Sequence, residues 1–197
     1  MSSSRAQWRK HFREARNNLS AKAQQQAAAD VAHRLSSLPE LRDARRVAAY
    51  LDNDGEVSLG ELILLLQTRA VATSLPVLHP FSGKHLLFLD YTPHTPMKKN
   101  RFGIAEPELR CQSVRLLAEH QVILMPLVGF DNKGNRLGMG GGFYDRTLAN
   151  LDRLSYRPLL IGVAHDCQQA DALPVMQWDI PLNAIVTPTQ TIRISQP

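Results

Sequence analysis

The sequence lacks the long apolar segments that membrane proteins and exported precursors carry. No apolar run approaches the roughly 18 residues that a transmembrane helix requires. The amino-terminal residues Met-Ser-Ser-Ser-Arg-Ala-Gln-Trp do not resemble the apolar core of a secretory signal. We therefore expect a cytoplasmic protein that does not associate with a membrane.

Cysteine is scarce, and the sequence has no motif of a cysteine or histidine metal site. Cys111 and Cys167 stand far apart, without the paired spacing of a zinc site or a disulfide framework. The histidines do not form H-E-x-x-H or another metal spacing. These residues predict two reduced thiols and histidines that serve packing or the surface.

Length and composition predict one globular domain spanning residues 1–197. The 197 residues are 44% hydrophobic and 21% charged, which are ordinary values for a protein with a substantial core. The net charge is +5, and residues 1–46 hold ten Lys and Arg against four Asp and Glu. This basic end suits nucleic acid, an anionic small molecule such as a nucleotide, or simply a solvated helix face.

The basic end itself is predicted to be helical. Helical spacing over residues 5–18 gives an apolar stripe of Trp8, Phe12, Ala15 and Leu19. A basic stripe beside it consists of Arg5, Arg9, Arg13 and Arg16. Ser20 is a suitable N-cap for a second helix over residues 21–36, and Pro39 should end this unit. We expect the segment 5–36 to pack on the rest of the domain.

Further along the chain, short apolar runs alternate with helical patterns. Strands are predicted over residues 46–51, 71–78, 84–90, 122–128, 158–164, 184–187 and 191–195. Helices are predicted over residues 58–68, 111–119 and about 142–151. The alternation predicts a layered α/β fold with a largely parallel central sheet flanked by helices. Residues 91–107, which include three prolines, are predicted to form a long surface loop.

A glycine cluster marks the segment Arg136-Leu-Gly-Met-Gly-Gly-Gly-Phe-Tyr-Asp145, which follows the strand predicted over 122–128. A glycine-rich loop between a strand and a helix suits phosphate, because its bare N–H groups attract anions. Arg136 could add a charge-assisted contact, and Asp145 could hold a magnesium ion. The alternative is a purely structural turn.

Neither of the two standard glycine motifs fits this segment. Gly129 and Gly134 have the Walker spacing, but Asn135-Arg136 follows where Lys-Ser or Lys-Thr should stand. The dinucleotide pattern meets Phe143 in place of its third glycine. The residues therefore predict a phosphate loop of another kind.

Polar residues follow two predicted strands, where ligands gather in α/β sheets. After 46–51 come Asp52, Asp54 and Glu56, and after 158–164 come His165, Asp166 and Gln168.

The segment from Met125 to Asp145, which contains Gly-Phe-Asp, Gly-Asn-Arg-Leu-Gly and Tyr-Asp, resembles the signature of the 5-formyltetrahydrofolate cyclo-ligase family. Weaker similarity extends over nearly the whole chain. This sequence has Met139, Gly141 and Phe143 where some family members have Arg, Lys and Tyr.

The resemblance implies an enzyme that uses ATP and Mg²⁺ to convert 5-formyltetrahydrofolate to 5,10-methenyltetrahydrofolate, with release of ADP and phosphate. An N5-iminium phosphate intermediate is implied, and no side-chain nucleophile is required. The folate substrate can carry a polyglutamate tail. Nucleic acid is not expected as a partner, and the protein is expected to be a monomer or a weak oligomer.

The resemblance also assigns site residues. ATP would contact Arg5, Arg9, Arg136, Leu137, Gly138, Met139, Gly140, Gly141, Gly142, Phe143 and Tyr144. Folate would contact Leu51, Glu56, Phe102 and Tyr144. The metal carboxylates would be Asp145 and Asp179, and the catalytic residues would be Arg136, Tyr144 and Asp145.

Two other functions remain open from the sequence. An ATP-dependent enzyme with a different acceptor would share the glycine loop and the carboxylates. A basic RNA-binding protein would use the amino-terminal arginines, although no recognised RNA-binding motif is present.

Overall fold

The computed structural model describes residues 4–194, which form helices α1–α5 and strands β1–β13. The helices are α1 Arg5–Asn17, α2 Ala21–Ser37, α3 Pro39–Arg42, α4 Gly60–Thr68 and α5 Phe143–Leu148. The strands are β1 Arg46–Ala48, β2 Ala72–Leu78, β3 Leu86–Tyr91, β4 Met97–Lys99, β5 Ala105–Pro107, β6 Val114–Arg115, β7 Val122–Pro126, β8 Gly129–Asp131, β9 Arg136–Leu137, β10 Leu159–Val163, β11 Gln169–Ala170, β12 Ala184–Val186 and β13 Thr191–Arg193. No helix within residues 4–194 is both long enough and apolar enough to span a membrane.

The core is an eight-stranded sheet in the order β13-β12-β10-β7-β1-β2-β3-β6. Strands β12, β10, β7, β1 and β2 run parallel, and antiparallel strands cover both edges. The central strand β7, Val-Ile-Leu-Met-Pro, is buried on both faces except for its last residue, as is typical of parallel strands between helical layers. The predicted α/β fold with a largely parallel sheet is confirmed.

Helices cover the two faces of the sheet unequally. On one face, α2, α3 and α4 bury Val31, Leu35, Leu41, Leu62 and Leu66. On the other face, Leu148 of α5 packs with side chains such as Ile123 and Ile185. The predicted N-cap at Ser20 is confirmed, because its hydroxyl accepts a hydrogen bond from the Ala23 amide at 3.2 Å.

Helix α1 packs on a second, three-stranded sheet in the order β11-β8-β9. Phe12, from the predicted apolar stripe, is only 1% exposed and stacks on the half-buried Trp8. Its ring lies so close to Gly129 of β8 that a Cβ there would come within 2.5 Å. The absence of a side chain at Gly129 therefore allows α1 to dock.

The chain changes direction across the sheet between β1 and β7. It leaves β1 towards β2 on one side and returns to β7 on the other side. At such a switch point, the segments that leave the two strands diverge and open a crevice at the carboxyl ends. Here those segments are residues 49–59 and residues 127–142, and the second contains the glycine cluster.

The structure corrects several local predictions. Residues 111–119 do not form a helix, because Val114 and Arg115 pair with β3 between two short 3-10 turns. Pro39 begins α3, where its missing N–H is harmless, rather than ending the helical unit outright. The predicted loop 91–107 contains the hairpin of β4 and β5. Ser195, the predicted end of the last strand, lies outside the described residues.

Replacing Gly129 with alanine should weaken the docking of α1. The new Cβ would collide with the buried Phe12 ring, and overpacking of this kind costs about 1–3 kcal/mol. Gly138→Ala is the matched control, since a Cβ there meets nothing within 4 Å. Urea unfolding of both variants measures the effect, and equal free energies of unfolding for Gly129→Ala and the wild type would contradict this account.

Candidate active site

A cavity of about 500 Å³ opens at the switch point between β1 and β7. One wall comes from the segment after β1 and includes Leu51 and Glu56. The opposite wall is the glycine segment 136–145, and the β4–β5 hairpin closes a third side with Phe102. A concave, largely apolar space with a few convergent polar groups is the usual form of a small-molecule site.

The backbone of the glycine segment is shaped by its glycines. Gly140 and Gly142 have φ values of +98° and +62°, in the left-handed region that side chains with a Cβ rarely adopt. Arg9 of α1 donates from Nε to the Gly138 carbonyl at 2.8 Å and also lies against Gly140. The segment is therefore held in one conformation by a cation from a different part of the fold.

Two residues that line this cavity each have a buried polar atom without a partner. Among the described residues, neither Arg136 Nε nor the Tyr144 hydroxyl has a hydrogen-bond partner, although both atoms are buried. Burial also raises the pKa of Tyr144, so its hydroxyl is a neutral donor. Unsatisfied buried groups are rare in native proteins and require an explanation.

Arg136 forms a short ion pair with Asp145, with 2.5 Å between Nη2 and Oδ1. The arginine side chain is 5% exposed and the aspartate 17%, so the pair is largely removed from water. The Ile180 amide also donates to the same carboxylate at 3.4 Å. The segment around residue 180 thus lies beside the glycine segment, although it is distant in sequence.

A second arginine–aspartate pair lies on that neighbouring segment. The guanidinium of Arg5 in α1 donates to both carboxylate oxygens of Asp179, at 2.5 and 3.1 Å, and also to the Pro174 carbonyl. Residues 4–194 contain no group of three or more His, Cys, Asp or Glu side chains able to hold a metal.

Glu56 is the carboxylate of the opposite wall. Its side chain is 12% exposed, and Oε2 accepts a hydrogen bond from the Asn53 amide at 3.1 Å. Burial raises the pKa of Glu56 to about 7, and Asp54 and Asp52 add to the rise, while Arg16 and the Asn53 amide oppose it. Near neutral pH both the protonated and the ionised form of this group are therefore populated.

The hairpin wall is held by a buried carboxylate. Glu106 is 5% exposed, and its Oε2 accepts from the Leu78 amide at 3.1 Å and from the Asn100 side chain at 3.2 Å. Asn100 Oδ1 in turn accepts from the Phe102 amide, which fixes the backbone that carries this ring. The Phe102 ring meets Phe143 edge-on, with 6.0 Å between ring centroids. Two aromatic rings from different walls thus meet across the cavity.

Comparison with known proteins shows which family the chain resembles. A model of the 5-formyltetrahydrofolate cyclo-ligase family matches residues 1–188. The 5-formyltetrahydrofolate cyclo-ligase of Haemophilus influenzae is 49% identical over 178 residues, which are 90% of this chain and 94% of that protein. The enzyme of the same name from Escherichia coli K12 is 45% identical over 91% of this chain and 97% of its own length.

The chain belongs to the 5-formyltetrahydrofolate cyclo-ligase family.

A solved structure agrees with this assignment. The NMR structure of 5,10-methenyltetrahydrofolate synthetase from Aquifex aeolicus superimposes with a TM-score of 0.82 at 30% identity, covering 98% of this chain and 94% of that one. The synthetase of Mycoplasma pneumoniae, at 22% identity and a TM-score of 0.74, shares the fold. The resemblance inferred from the sequence and the prediction of a ligase are confirmed.

Most of the residues that the cyclo-ligase resemblance singled out meet in one cavity. Its lining includes Leu51, Glu56, Phe102, Arg136, Gly138, Met139, Gly141, Gly142, Phe143, Tyr144 and Asp145. Arg5, Arg9, Leu137, Gly140 and Asp179 are not part of the lining. Leu137 is fully buried against Phe12, so its side chain belongs to the core between α1 and the small sheet.

Sequence reasoning missed Arg16 and the Glu106–Asn100 pair. The helical spacing places Arg16 in a basic stripe with three other arginines. In the structure, however, Arg16 is fully buried and donates to the Leu127 carbonyl. Arg13 pairs with Asp54, so each of the four stripe arginines contacts protein groups. Periodicity places Arg16 beside Phe12 on the helix, and that position was the one available signal.

Two polar residues after β10, His165 and Gln168, contact backbone carbonyls of other segments. Gln168 is fully buried, and its Nε2 donates to the carbonyls of Leu127 and Val128 at 2.6 and 2.9 Å. His165 is 2% exposed, with its Nε2 3.2 Å from the Gly55 carbonyl. Both side chains therefore tie the segments around the cavity to one another.

Proposed function

We propose that this chain converts 5-formyltetrahydrofolate to 5,10-methenyltetrahydrofolate in a reaction that requires Mg²⁺, with ATP as the phosphoryl source and ADP and phosphate released. One observation carries the proposal beyond the family name. A single cavity brings the glycine segment, with Arg136 and Tyr144, opposite the buried carboxylate of Glu56. The first wall suits phosphates, and the second suits a ring with N–H donors.

The chemistry needs activation of a poor leaving group. The formyl oxygen attacks the γ-phosphorus of ATP, the bond from that phosphorus to the bridging oxygen breaks, and ADP leaves with the electron pair. The product is an N5-iminium phosphate. N10 then attacks the formyl carbon and loses its proton, and phosphate leaves as the five-membered ring closes. The protein has to align two substrates and neutralise charge, and no side-chain nucleophile takes part.

At the nucleotide end, arginines and backbone amides would meet the phosphates. Arg136 is already buried at the cavity wall, so its charge acts with little screening by water. Arg9 braces the glycine segment from α1, and Arg5 lies beyond it on Asp179. The loop amides of residues 138–142 would add neutral donors to this set.

The donor set fits a magnesium ion that is held largely by phosphate oxygens. Asp145 lines the cavity and would supply a carboxylate, and Asp179 lies on the adjoining segment. When bound, the ion would neutralise phosphate charge. Both carboxylates are held by arginines here, so those arginines would be released towards the phosphates.

At the folate end, Glu56 would accept from the amino and ring N–H groups of the pterin. Leu51 and Phe102 would provide apolar contact to the ring, and Tyr144, which also lines the cavity, would contact either substrate. A polyglutamate tail would extend out of the cavity.

The proposed reaction is tested by absorbance in the band of the methenyl-folate product, with purified protein, 5-formyltetrahydrofolate, ATP and Mg²⁺. We expect an increase that requires both ATP and Mg²⁺, together with one phosphate released per methenyl group formed. If ATP is hydrolysed only when another acceptor is supplied, the assignment of the folate substrate is wrong.

Asp145→Asn should reduce turnover on the order of 100-fold, because it removes a charge beside the reacting phosphates. The dissociation constant for 5-formyltetrahydrofolate should change far less. Asp152→Asn is the control, since this carboxylate is 85% exposed on a surface ion pair with Arg157. Wild-type turnover of Asp145→Asn at saturating Mg²⁺ would remove Asp145 from the mechanism.

Binding of 5-formyltetrahydrofolate should weaken as the pH falls from 8 to 6. The raised pKa of Glu56, about 7, means that its carboxylate is mostly ionised at pH 8 and mostly protonated at pH 6. Since only the ionised form offers both oxygens as acceptors, the dissociation constant should rise about tenfold. Glu56→Gln should bind more weakly and without this pH dependence, as calorimetric titration would measure. A pH-dependence that survives the substitution would assign it to another group.

A further inference from the structure

Arg16 is a fully buried arginine that none of the proposed steps uses. Arginine is almost never fully buried unless its charge and its N–H groups are partnered. Here Nε donates to the Asp54 carbonyl at 2.7 Å, Nη1 to the Leu127 carbonyl at 3.0 Å, and Nη2 to Asp54 Oδ2 at 2.9 Å. The guanidinium is therefore fixed in one orientation.

Its main partner is the turn Asp54–Gly55. Asp54 has a φ of +50°, an uncommon conformation for a residue with a side chain, so the turn must be held by its surroundings. Helix α1 supplies the restraint. Besides Arg16, Arg13 donates to Asp54 Oδ2 at 2.6 Å, and Asn17 donates to Oδ1 at 3.2 Å. A Cβ on Gly55 would lie 2.4 Å from Asn17 Oδ1, which shows how closely the helix approaches.

The next residue after this turn is Glu56. Arg16 Nη2 lies 3.9 Å from Glu56 Oε1, and 3.9 Å from the sulfur of Met139 in the glycine segment. The guanidinium of Arg16 thus contacts the turn before Glu56, the Leu127 carbonyl just after β7, and Met139 on the opposite wall of the cavity.

We propose that Arg16 is a positioning residue that sets the orientation of Glu56 towards the substrate through the Asp54–Gly55 turn. This inference rests on the proposed function, because it assigns to Glu56 the contact with the pterin. Arg16 itself is fully buried and is not part of the cavity lining, so it would not contact a substrate.

The charges around Glu56 supply a distinctive signature. The groups that face or influence it are Arg16 of α1, Asp52, Asp54 and Tyr50 of its own segment, and Tyr144 of α5, with the His165 ring nearby on Gly55. Arg16 is the one cation among them, and it lowers the pKa of Glu56 against the effect of burial. Without Arg16, Glu56 should hold its proton to a higher pH.

The test measures binding of 5-formyltetrahydrofolate by calorimetry between pH 5.5 and 9 for the full-length protein. In Arg16→Met we expect at least about tenfold weaker binding at pH 7 and a midpoint of the pH profile displaced to higher pH. Arg16→Lys restores the charge without the planar fork, so its midpoint should return towards the wild-type value while affinity at pH 8 stays reduced about fivefold. A role confined to packing would not move the midpoint.

Two further variants isolate the effect. In the double variant Arg16→Met with Glu56→Gln, the displacement should vanish because the titrating group is gone. Arg34→Met is the matched control, since Arg34 of α2 donates to the Pro188 carbonyl and lies outside the cavity lining. It should keep the wild-type affinity and midpoint.

The outcomes separate the two proposals. A folded Arg16→Met with the wild-type midpoint overturns the positioning role. If Arg16→Met does not fold, Arg16→Lys decides, and wild-type affinity at pH 8 overturns the role. If the wild type itself neither binds nor converts 5-formyltetrahydrofolate, the proposed function fails instead.

Discussion

The parallel pairing of β1 with β7 is the constraint on which the site depends. Because the chain leaves β1 in one direction and returns to β7 on the other side, two diverging segments cannot fill the space between them. The segment after β1 carries Glu56, and the segment after β7 carries the glycine cluster. Neither segment makes a pocket by itself, since each forms one wall. The cavity is a property of the strand order, and the residues on its walls determine which ligand it suits.

Helix α1 connects the two walls from outside. Arg9 meets the Gly138 carbonyl, Arg16 meets the turn before Glu56, and Phe12 packs where Gly129 leaves room. These contacts explain why a helix with four arginines lies against the domain instead of presenting an open basic surface. Charge in this segment is therefore used inside the protein, to hold loops in conformations that they would not otherwise keep.

The sequence predicted the sheet, and most of the residues that it singled out line one cavity, because those signals are local or lie in one continuous signature. The apolar run of β7 and the glycines after it can be read without knowledge of the fold. The prediction of a helix over residues 111–119 was wrong. The edge-strand pairing of Val114 and Arg115 depends on β3, and it leaves no periodic pattern in the sequence. The burial of Arg16 could not be predicted, since its acceptors are 38 and 111 residues away along the chain. The hydrogen bonds of Glu106 to Leu78 and Asn100 also join residues that are separated along the chain, although by shorter distances, and the sequence did not predict them.

The ion pair between Arg5 and Asp179 has a consequence for how the protein folds. The two residues are 174 positions apart, so this ion pair joins segments that are distant along the chain. Contacts with such long separations close late, because the intervening chain must be ordered before they can form. The contact of helix α1 with the segment around Asp179 is therefore expected to form late in folding. The segment beside the candidate site is thus fixed by a contact that forms late.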